Sequence, residues 1–373
     1  MSAEPILAVR SDAAALGWVK DAVLFRRGVA IADLGSREVV LVDSLGQVTA
    51  RQGGEGYGPE EYVSLTGVAR HGEGLVAWDA YHFRFTFLDG AGKHVGEAAM
   101  HGEMPERHDP TLLGTFADHA LVELRRPVIL SGPPDPARAR EDVHFLVVSL
   151  RTGEIVQRVI RPGEEWWAAR LGPYATHFPI VFGHNILSAV AGRAWYLVDM
   201  GSLLLDRYEE DGAHSSVEFE HDPVPAEDVW VEAVIDSIRG EVNGRQLGPL
   251  EFSDGTVIDR RGVSSALLDA PLPARAHLPA VSALKGSPDG LLWIREFPLP
   301  TSDSVLWVAL DEHLRMERRL RLSSDVHVMD FDEDLVLVLA ESEAGAAMLE
   351  VYAALPPDQP SPDSQEAEAS ARE

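Results

Sequence analysis

The chain has 373 residues, 60 of them acidic against 32 basic, for a formal net charge of −28, and it contains no cysteine. This excludes disulfides, thiolate nucleophiles and cysteine-held zinc or iron–sulfur centres, and so acidic a surface repels nucleic-acid phosphates and anionic membranes. With 45% hydrophobic and 25% charged residues the chain has the apolar content of a soluble globular fold, and no run of about 18 apolar residues offers a membrane span.

The N-terminus, Met1 to Arg10, lacks a basic start followed by an apolar stretch and does not read as a signal peptide. The expectation is a cytoplasmic protein or an exported one whose leader has been trimmed. Ile6 to Val9 forms a short lone strand. From there the chain repeats itself. The first copy is "GVAIADLGSREVVLVDSLGQVTA" and the second "GLVAWDAYHFRFTFLDGAGKHVGE". The offset that aligns Asp43 with Asp89 also aligns Gly46 with Gly92 and Asp33 with Asp79. Three turn residues matched by one offset mark a true repeat.

Weaker copies follow. "DHALVEL" and "VHFLVVSLRTGEIVQRVI" make a third, with a Pro-rich loop from Arg125 to Asp142 between them. "RAWYLVDMGSLLLDRYEEDGAHSSVEF" is a fourth, "GLLWIREFPLPTSDSVLWVALDEHLRMERRL" a fifth and "DVHVMDFDEDLVLVLAESEAGAAMLEVYAAL" a sixth that stops after three strands. Short strands rich in β-branched and aromatic residues, about four per repeat of roughly 40–50 residues, predict an all-β six-bladed propeller. The spare strand Ile6 to Val9 supplies the missing outer strand of the sixth blade by pairing near Met348 to Tyr352. Residues 1–355 are read as one domain. Between blades four and five, Asp222 to His277 interrupts the repeat. Trp230, Ala233, Val234, Ser237 and Ile238 share one face of a helix from Pro225 to Asn243, and a second helix is expected between Val257 and Asp269. Residues 356–373 are Pro/Ser/Glu/Ala-rich and read as a disordered tail.

The stretches "RQGGEGYGPEEY", "LPAVSALKGSPDGLLWIREFP" and "VLWVALDEHLRMERRLRL" with the closing "EVYAAL" resemble segments of bacterial six-bladed β-propellers related to NHL-repeat propellers. The resemblance covers most of Leu16 to Leu355 and implies the fold. Members are mostly uncharacterised, and many look exported or lipid-anchored.

In a propeller, the loops joining second to third strands and blade to blade share one face, where ligands usually bind. Asp33, Asp79, Tyr81, His82, Arg84, Arg125, Arg126, Asp199, Arg295, Glu296 and Glu341 are placed there, with the Gly-rich loop Gly53 to Tyr62 and the Trp166–Trp167 pair in blade-to-blade connections. The insertion is placed there too, as a lid or as a brace on the rim. Bland readings stand beside these. Asp33 and Asp79 end strands, where Asp often only caps a turn. Arg295 and Glu296 read equally as an ion pair, and Trp78 and Trp293 as packing between blades. Neither a zinc-protease His-Glu-x-x-His nor a Gly-x-Ser-x-Gly elbow occurs. The expectation is therefore a monomeric, non-catalytic propeller binding a small molecule or a protein, with no predicted cofactor. The alternative is a metal-dependent lactonase-like or strictosidine-synthase-like enzyme, in which Asp33, Asp79, Asp199 and Glu296 would hold Ca²⁺.

Overall fold

Turn chemistry divides the chain into blades. Asp43 accepts the N–H groups of Leu45 and Gln47, both at 2.9 Å. Asp89 does the same with Ala91 and Lys93, and Asp311 with His313 and Arg315. Each closes the hairpin from third to fourth strand. Gly46 and Gly92 take φ of 79° and 80° in these turns, a conformation glycine adopts without strain. In the fifth blade Leu314 holds the same left-handed position, at φ 61°, at a cost of roughly 1 kcal/mol.

The computed structural model describes residues 4–11, 14–105, 108–125, 139–171, 174–244, 250–251, 257–258, 272–341 and 347–354. A lone strand, β1 (Leu7–Arg10), comes first. Blade one is β2 (Val19–Phe25), β3 (Gly28–Asp33), β4 (Glu38–Val42) and β5 (Val48–Gly53). Blade two is β6 (Leu65–His71), β7 (Gly74–Asp79), β8 (Arg84–Leu88) and β9 (His94–Ala99). Blade three is β10 (Asp109–Phe116), β11 (His119–Arg125), β12 (Ala139–Ser149), β13 (Ile155–Leu171) and β14 (Tyr174–Pro179). Blade four is β15 (Ile186–Ala191), β16 (Ala194–Asp199), β17 (Leu204–Glu209) and β18 (His214–Glu218). The insertion holds α1 (Asp228–Gly244), β19 (Leu250–Glu251) and β20 (Val257–Ile258). Blade five is β21 (Val281–Gly286), β22 (Leu292–Glu296), β23 (Ser304–Leu310) and β24 (Met316–Ser323). Blade six is β25 (His327–Asp332), β26 (Leu335–Glu341) and β27 (Ala347–Ala353), completed by β1. The six-bladed propeller is thus observed, with its helix between blades four and five. Counted from the latched blade that holds the N-terminal strand, the same helix lies between the fifth and sixth.

The second strand of blade one is buried on both sides, which is why "GVAIAD" is apolar without alternation. Its neighbouring residues serve opposite interfaces: Ile31 packs with Leu337 of blade six, and Ala30 and Ala32 pack with Leu65 and Leu75 of blade two. Buried clusters fill the six gaps between neighbouring blades in this way. Trp78 and Trp293 belong to two of them, as packing residues.

The structure revises four expectations. Blade three has five strands, and its Pro-rich connection ends early because β12 begins at Ala139; residues 126–138 lie outside the described residues. Trp166 and Trp167 are not in a loop but in β13, paired with Pro179 and Phe178 of β14. The helix starts three residues after Pro225, whose backbone instead bridges to His277. Its packed side is Trp230, Val231, Val234, Ile235 and Ile238, with Ala233 and Ser237 exposed. The segment expected as a second helix begins as β20, paired with β19; residues 259–271 lie outside the described residues, as does the tail from 355.

The ring closes at two levels. Outside, Leu7, Val9 and Arg10 pair with Val351, Leu349 and Met348. Inside, each innermost strand lies against the next, from β2 through β6, β10, β15 and β21 to β25, and β25 returns to β2. Five of these strands carry a bulge, four of them near the start of the strand, which bends the strand and frees main-chain groups. Asp330 of blade six takes the N–H of Leu24 in blade one at 2.8 Å, and Asp21 of blade one takes that of Val68 in blade two at 3.0 Å. Arg70 grips both oxygens of Asp330, at 2.5 and 3.1 Å, and the carbonyl of Leu24. Burial raises the carboxyl pKa of Asp330 despite Arg70. Burial also raises Asp21 to about 6, against the lowering pull of the Val68 N–H and of Lys285.

Two outcomes follow. Val9→Asp puts a charge in the buried latch and should lower stability by roughly 3 kcal/mol, read by chemical denaturation; an unchanged midpoint would rule out the latch. For Asp21, the native state keeps a proton between about pH 4 and 6 that the unfolded chain has lost, so its contribution to stability falls as pH rises through that window. Asp21→Asn should match the parent near pH 4 and exceed it by about 3 kcal/mol at pH 8. A difference that does not vary with pH would contradict this.

Candidate functional site

The face carrying the second-to-third-strand turns and the blade-to-blade connections is built on a repeated aspartate. Asp33 accepts the N–H of Gly17 at 2.9 Å, Trp18 at 2.6 Å and Gly35 at 3.0 Å, and the Ser36 hydroxyl at 2.8 Å. Asp79 accepts from Val63, Ser64 and Tyr81 at 3.0–3.1 Å and meets His82 Nδ1 at 2.8 Å. Both are fully buried. Burial alone would raise their carboxyl pKa values; the donors outweigh it and hold both below the usual range. Four residues after Asp33, Asp79 and Asp199, Arg37, Phe83 and Leu203 hold φ of 58°, 51° and 54°, so these aspartates stand at the start of a strained turn. The turn-capping reading is the one the geometry satisfies.

The other expected residues separate. Arg84 is buried and donates to the carbonyls of Gly58, at 2.9 Å, and Glu61. It anchors the Gly-rich loop. Arg125 is spent on Glu123 at 2.5 and 3.1 Å, on Asn185 Oδ1 at 3.0 Å and on the Ile186 carbonyl. Asp199 receives Arg140 at 3.1 Å on both oxygens and the N–H of Gly201. Tyr81 is exposed. Glu296 is exposed and makes no ion pair with Arg295 among the described residues. Arg126 and the Glu341 side chain lie outside what is described. Asp33, Asp79, Asp199 and Glu296 stand in four places: among the described residues no three His, Asp or Glu side chains converge to hold an ion.

The insertion rests on this same face. Val181 and Phe182, before blade four, pack with Leu278, Phe297 and the apolar side of α1, including Trp230. Residues 273–278 bond to Val181, Val224 and Ala226 through the main chain. Glu165 of β13 grips Arg275, with one bond at 3.0 Å, and the charged partner and the His184 N–H hold its pKa down against burial. Among the described residues, the apolar side of the helix packs on the connections before blades four and five and on Phe297.

A Ser–His–Asp grouping escaped the sequence reading. Ser216 donates to Asp206 at 2.5 Å, and His214 Nε2 faces both Asp206, at 3.1 Å, and Ser216, at 3.3 Å. A proton relay needs the histidine's two nitrogens between acid and hydroxyl. Here one nitrogen meets both, and the hydroxyl proton already points at the acid. With Arg161 on the other oxygen of Asp206, the group ties outer strands together.

One cation of this face is left with little compensation. Arg295 is half-buried, and its one hydrogen bond among the described residues is to the Ser324 carbonyl at 3.4 Å. Burial lowers its pKa, with no carboxylate to offset it. Lys285 lies on the same side of blade five, opposite Trp293, with Arg295 opposite Ala283, so the two are diagonal neighbours. His327 starts the innermost strand of blade six, and burial together with Lys285 and Arg295 lowers its pKa. His327 also borders a cleft of about 720 Å³ between blades six and one, lined by Leu16, Trp18, Val19, Val326 and Leu339. Lys285 and His327 were not foreseen; the available signal was a basic side chain within each of two inner strands, VSALKG and HVMDFD.

No family model matches the chain, so the NHL-repeat resemblance finds none, and no curated protein matches it. Solved structures share the fold at a distance. A member of the DUF4221 family from Bacteroides vulgatus is 9% identical over 93% of this chain and 97% of that one, with a TM-score of 0.48. A putative exported protein from Bacteroides fragilis is 8% identical over 91% of each chain, with a TM-score of 0.45. A streptogramin B lyase is 9% identical over 90% of this chain and 93% of that one, with a TM-score of 0.39. The chain is a six-bladed β-propeller with structural neighbours of varied function.

Proposed function

We propose that this chain is a non-catalytic binding propeller of the NHL-repeat-like kind, and that its ligand presents an anionic group to Arg295, Lys285 and His327 at the mouth between blades five and six. The observation that carries the reading is Arg295. In a chain with 60 acidic residues to 32 basic ones, a half-buried guanidinium without a carboxylate partner is costly unless something else supplies the negative charge. The cleft beside His327 also holds Ser11 and Asp325, and its apolar part, Leu16, Trp18, Val19, Val326 and Leu339, suits a ligand with an apolar body. The non-catalytic part rests on Asp33, Asp79, Asp199 and Asp206, which are committed to structural bonds.

Calorimetry with citrate, malonate and inorganic phosphate, and with glycerol as the neutral control, tests this. At least one anion should bind, and Arg295→Met should weaken it about tenfold or more, the worth of a charge-assisted hydrogen bond. The same variant should melt no lower than the parent, because it removes an unpaired, half-buried charge. Failure of all three anions, or equal binding by the variant, would remove the anion site; turnover of any compound would remove the non-catalytic reading.

A further inference from the structure

We propose that the Tyr57–Tyr81–His82 corner of blade two is a docking site for a cationic side chain, arginine or lysine, carried on an extended segment of a partner protein. Among the described residues, the Phe, Tyr and Trp side chains left largely exposed are Trp18 at 62%, Tyr57 at 75% and Tyr81 at 60%. All three lie on the face of the blade-to-blade connections, in blades one and two. Single exposed aromatics need no explanation, but these include two that meet. Tyr57 and Tyr81 have ring centroids 6.4 Å apart at 81°, and His82 stands 5.5 Å from Tyr57 at 70° and 5.2 Å from Tyr81 at 86°. Three nearly perpendicular rings form a corner that turns aromatic faces outward.

The corner is held from behind. Asp79 fixes Tyr81 and His82 through their N–H groups and the His82 ring. Tyr57 sits on the Gly-rich loop, which Arg84 holds through the carbonyls of Gly58 and Glu61, while Glu61 accepts the Gly58 N–H at 2.9 Å. Rings fixed before binding lose little freedom on binding, which favours them as anchors.

Charge selects the partner. Aromatic faces attract cations. Around the corner stand Glu55, Glu60, Glu61, Asp79 and Glu97, against two guanidiniums already engaged, Arg37 with Glu55 and Arg84 with Asp79 and Glu97. The surplus is negative, and the chain's net charge of −28 draws basic partners from a distance. An acidic partner would meet repulsion at every range.

The probe is a fluorescein-labelled Gly/Ser nonapeptide with three arginines, read by anisotropy, beside matched peptides with lysine, citrulline or glutamate, and beside unlabelled maltohexaose as competitor. The arginine or lysine peptide should bind saturably and more weakly as salt rises. Tyr57→Ala and Tyr81→Ala should each weaken it about tenfold, with melting temperatures unchanged because both rings are mostly exposed. Absence of saturable binding would overturn the proposal. So would equal binding by the double variant or by the citrulline peptide, or displacement by maltohexaose, which would make the corner a sugar platform.

Discussion

Radial sheets arranged in a ring must have a seam, and here the seam falls between blades six and one. It brings together groups 306 residues apart, as in the bond from the Leu24 N–H to Asp330, and 260 apart in the ion pair of Arg70 with Asp330. Every other contact between blades depends on this closure, because an open ring exposes two apolar sheet faces and the edge of β27. The strand β1 removes the edge, Asp330 and Arg70 lock the axis, and the apolar cluster of Leu24, Ile31, Met329 and Leu337 fills the space between. Polar bonds at the axis alone would be weak, since buried charges recover little beyond their lost hydration; the apolar cluster beside them supplies the net stabilisation.

How much of this was legible in the sequence follows the range of the forces involved. The hairpins at Asp43 and Asp89 were readable because a turn is decided by four or five neighbouring residues. The latch was readable by arithmetic: one blade short of a strand and one strand without a blade. The long β13 was not, because Pro162–Gly163 and the charged residues around it carry loop chemistry, and its pairing with Ala139, Arg140 and Asp142 on one side and with β14 on the other makes it a strand. The helix was readable, but its packed side was misplaced: the 3.6-residue period fits Ala233 and Ser237 as well as Val231 and Ile235, and the choice is made by Phe182 and Leu278, which are distant in the chain. The site was harder still. Arg295 was visible, but its loneliness was not, since a neighbouring Glu296 suggests an ion pair that the alternation of a strand forbids by turning the two side chains apart.

The charge of the molecule is partitioned by depth. Inside and within turns, carboxylates work as hydrogen-bond acceptors: Asp21 and Asp330 between inner strands, Asp33 and Asp79 beneath the loops, Glu165 beneath the insertion. Their negative charge is spent on main-chain N–H groups and on Arg70 and Arg275. At the gap between blades five and six, Lys285 acts on Asp21 and Asp330 only through its field and Arg295 has no carboxylate partner among the described residues, while acidic residues crowd the aromatic corner. A net charge alone says nothing of this division, which places opposite preferences on two sectors of one face.

The latch has a consequence for the life of the chain. Leu7–Arg10 leaves the ribosome before any other strand of the fold, yet its partner, Ala347–Ala353, is among the last to be made. Throughout synthesis the opening strand waits unpaired while blade after blade assembles behind it. Two chains growing close together therefore have an opportunity to trade opening strands, each completing the other's last blade, and the same backbone hydrogen bonds that finish one ring would then join two.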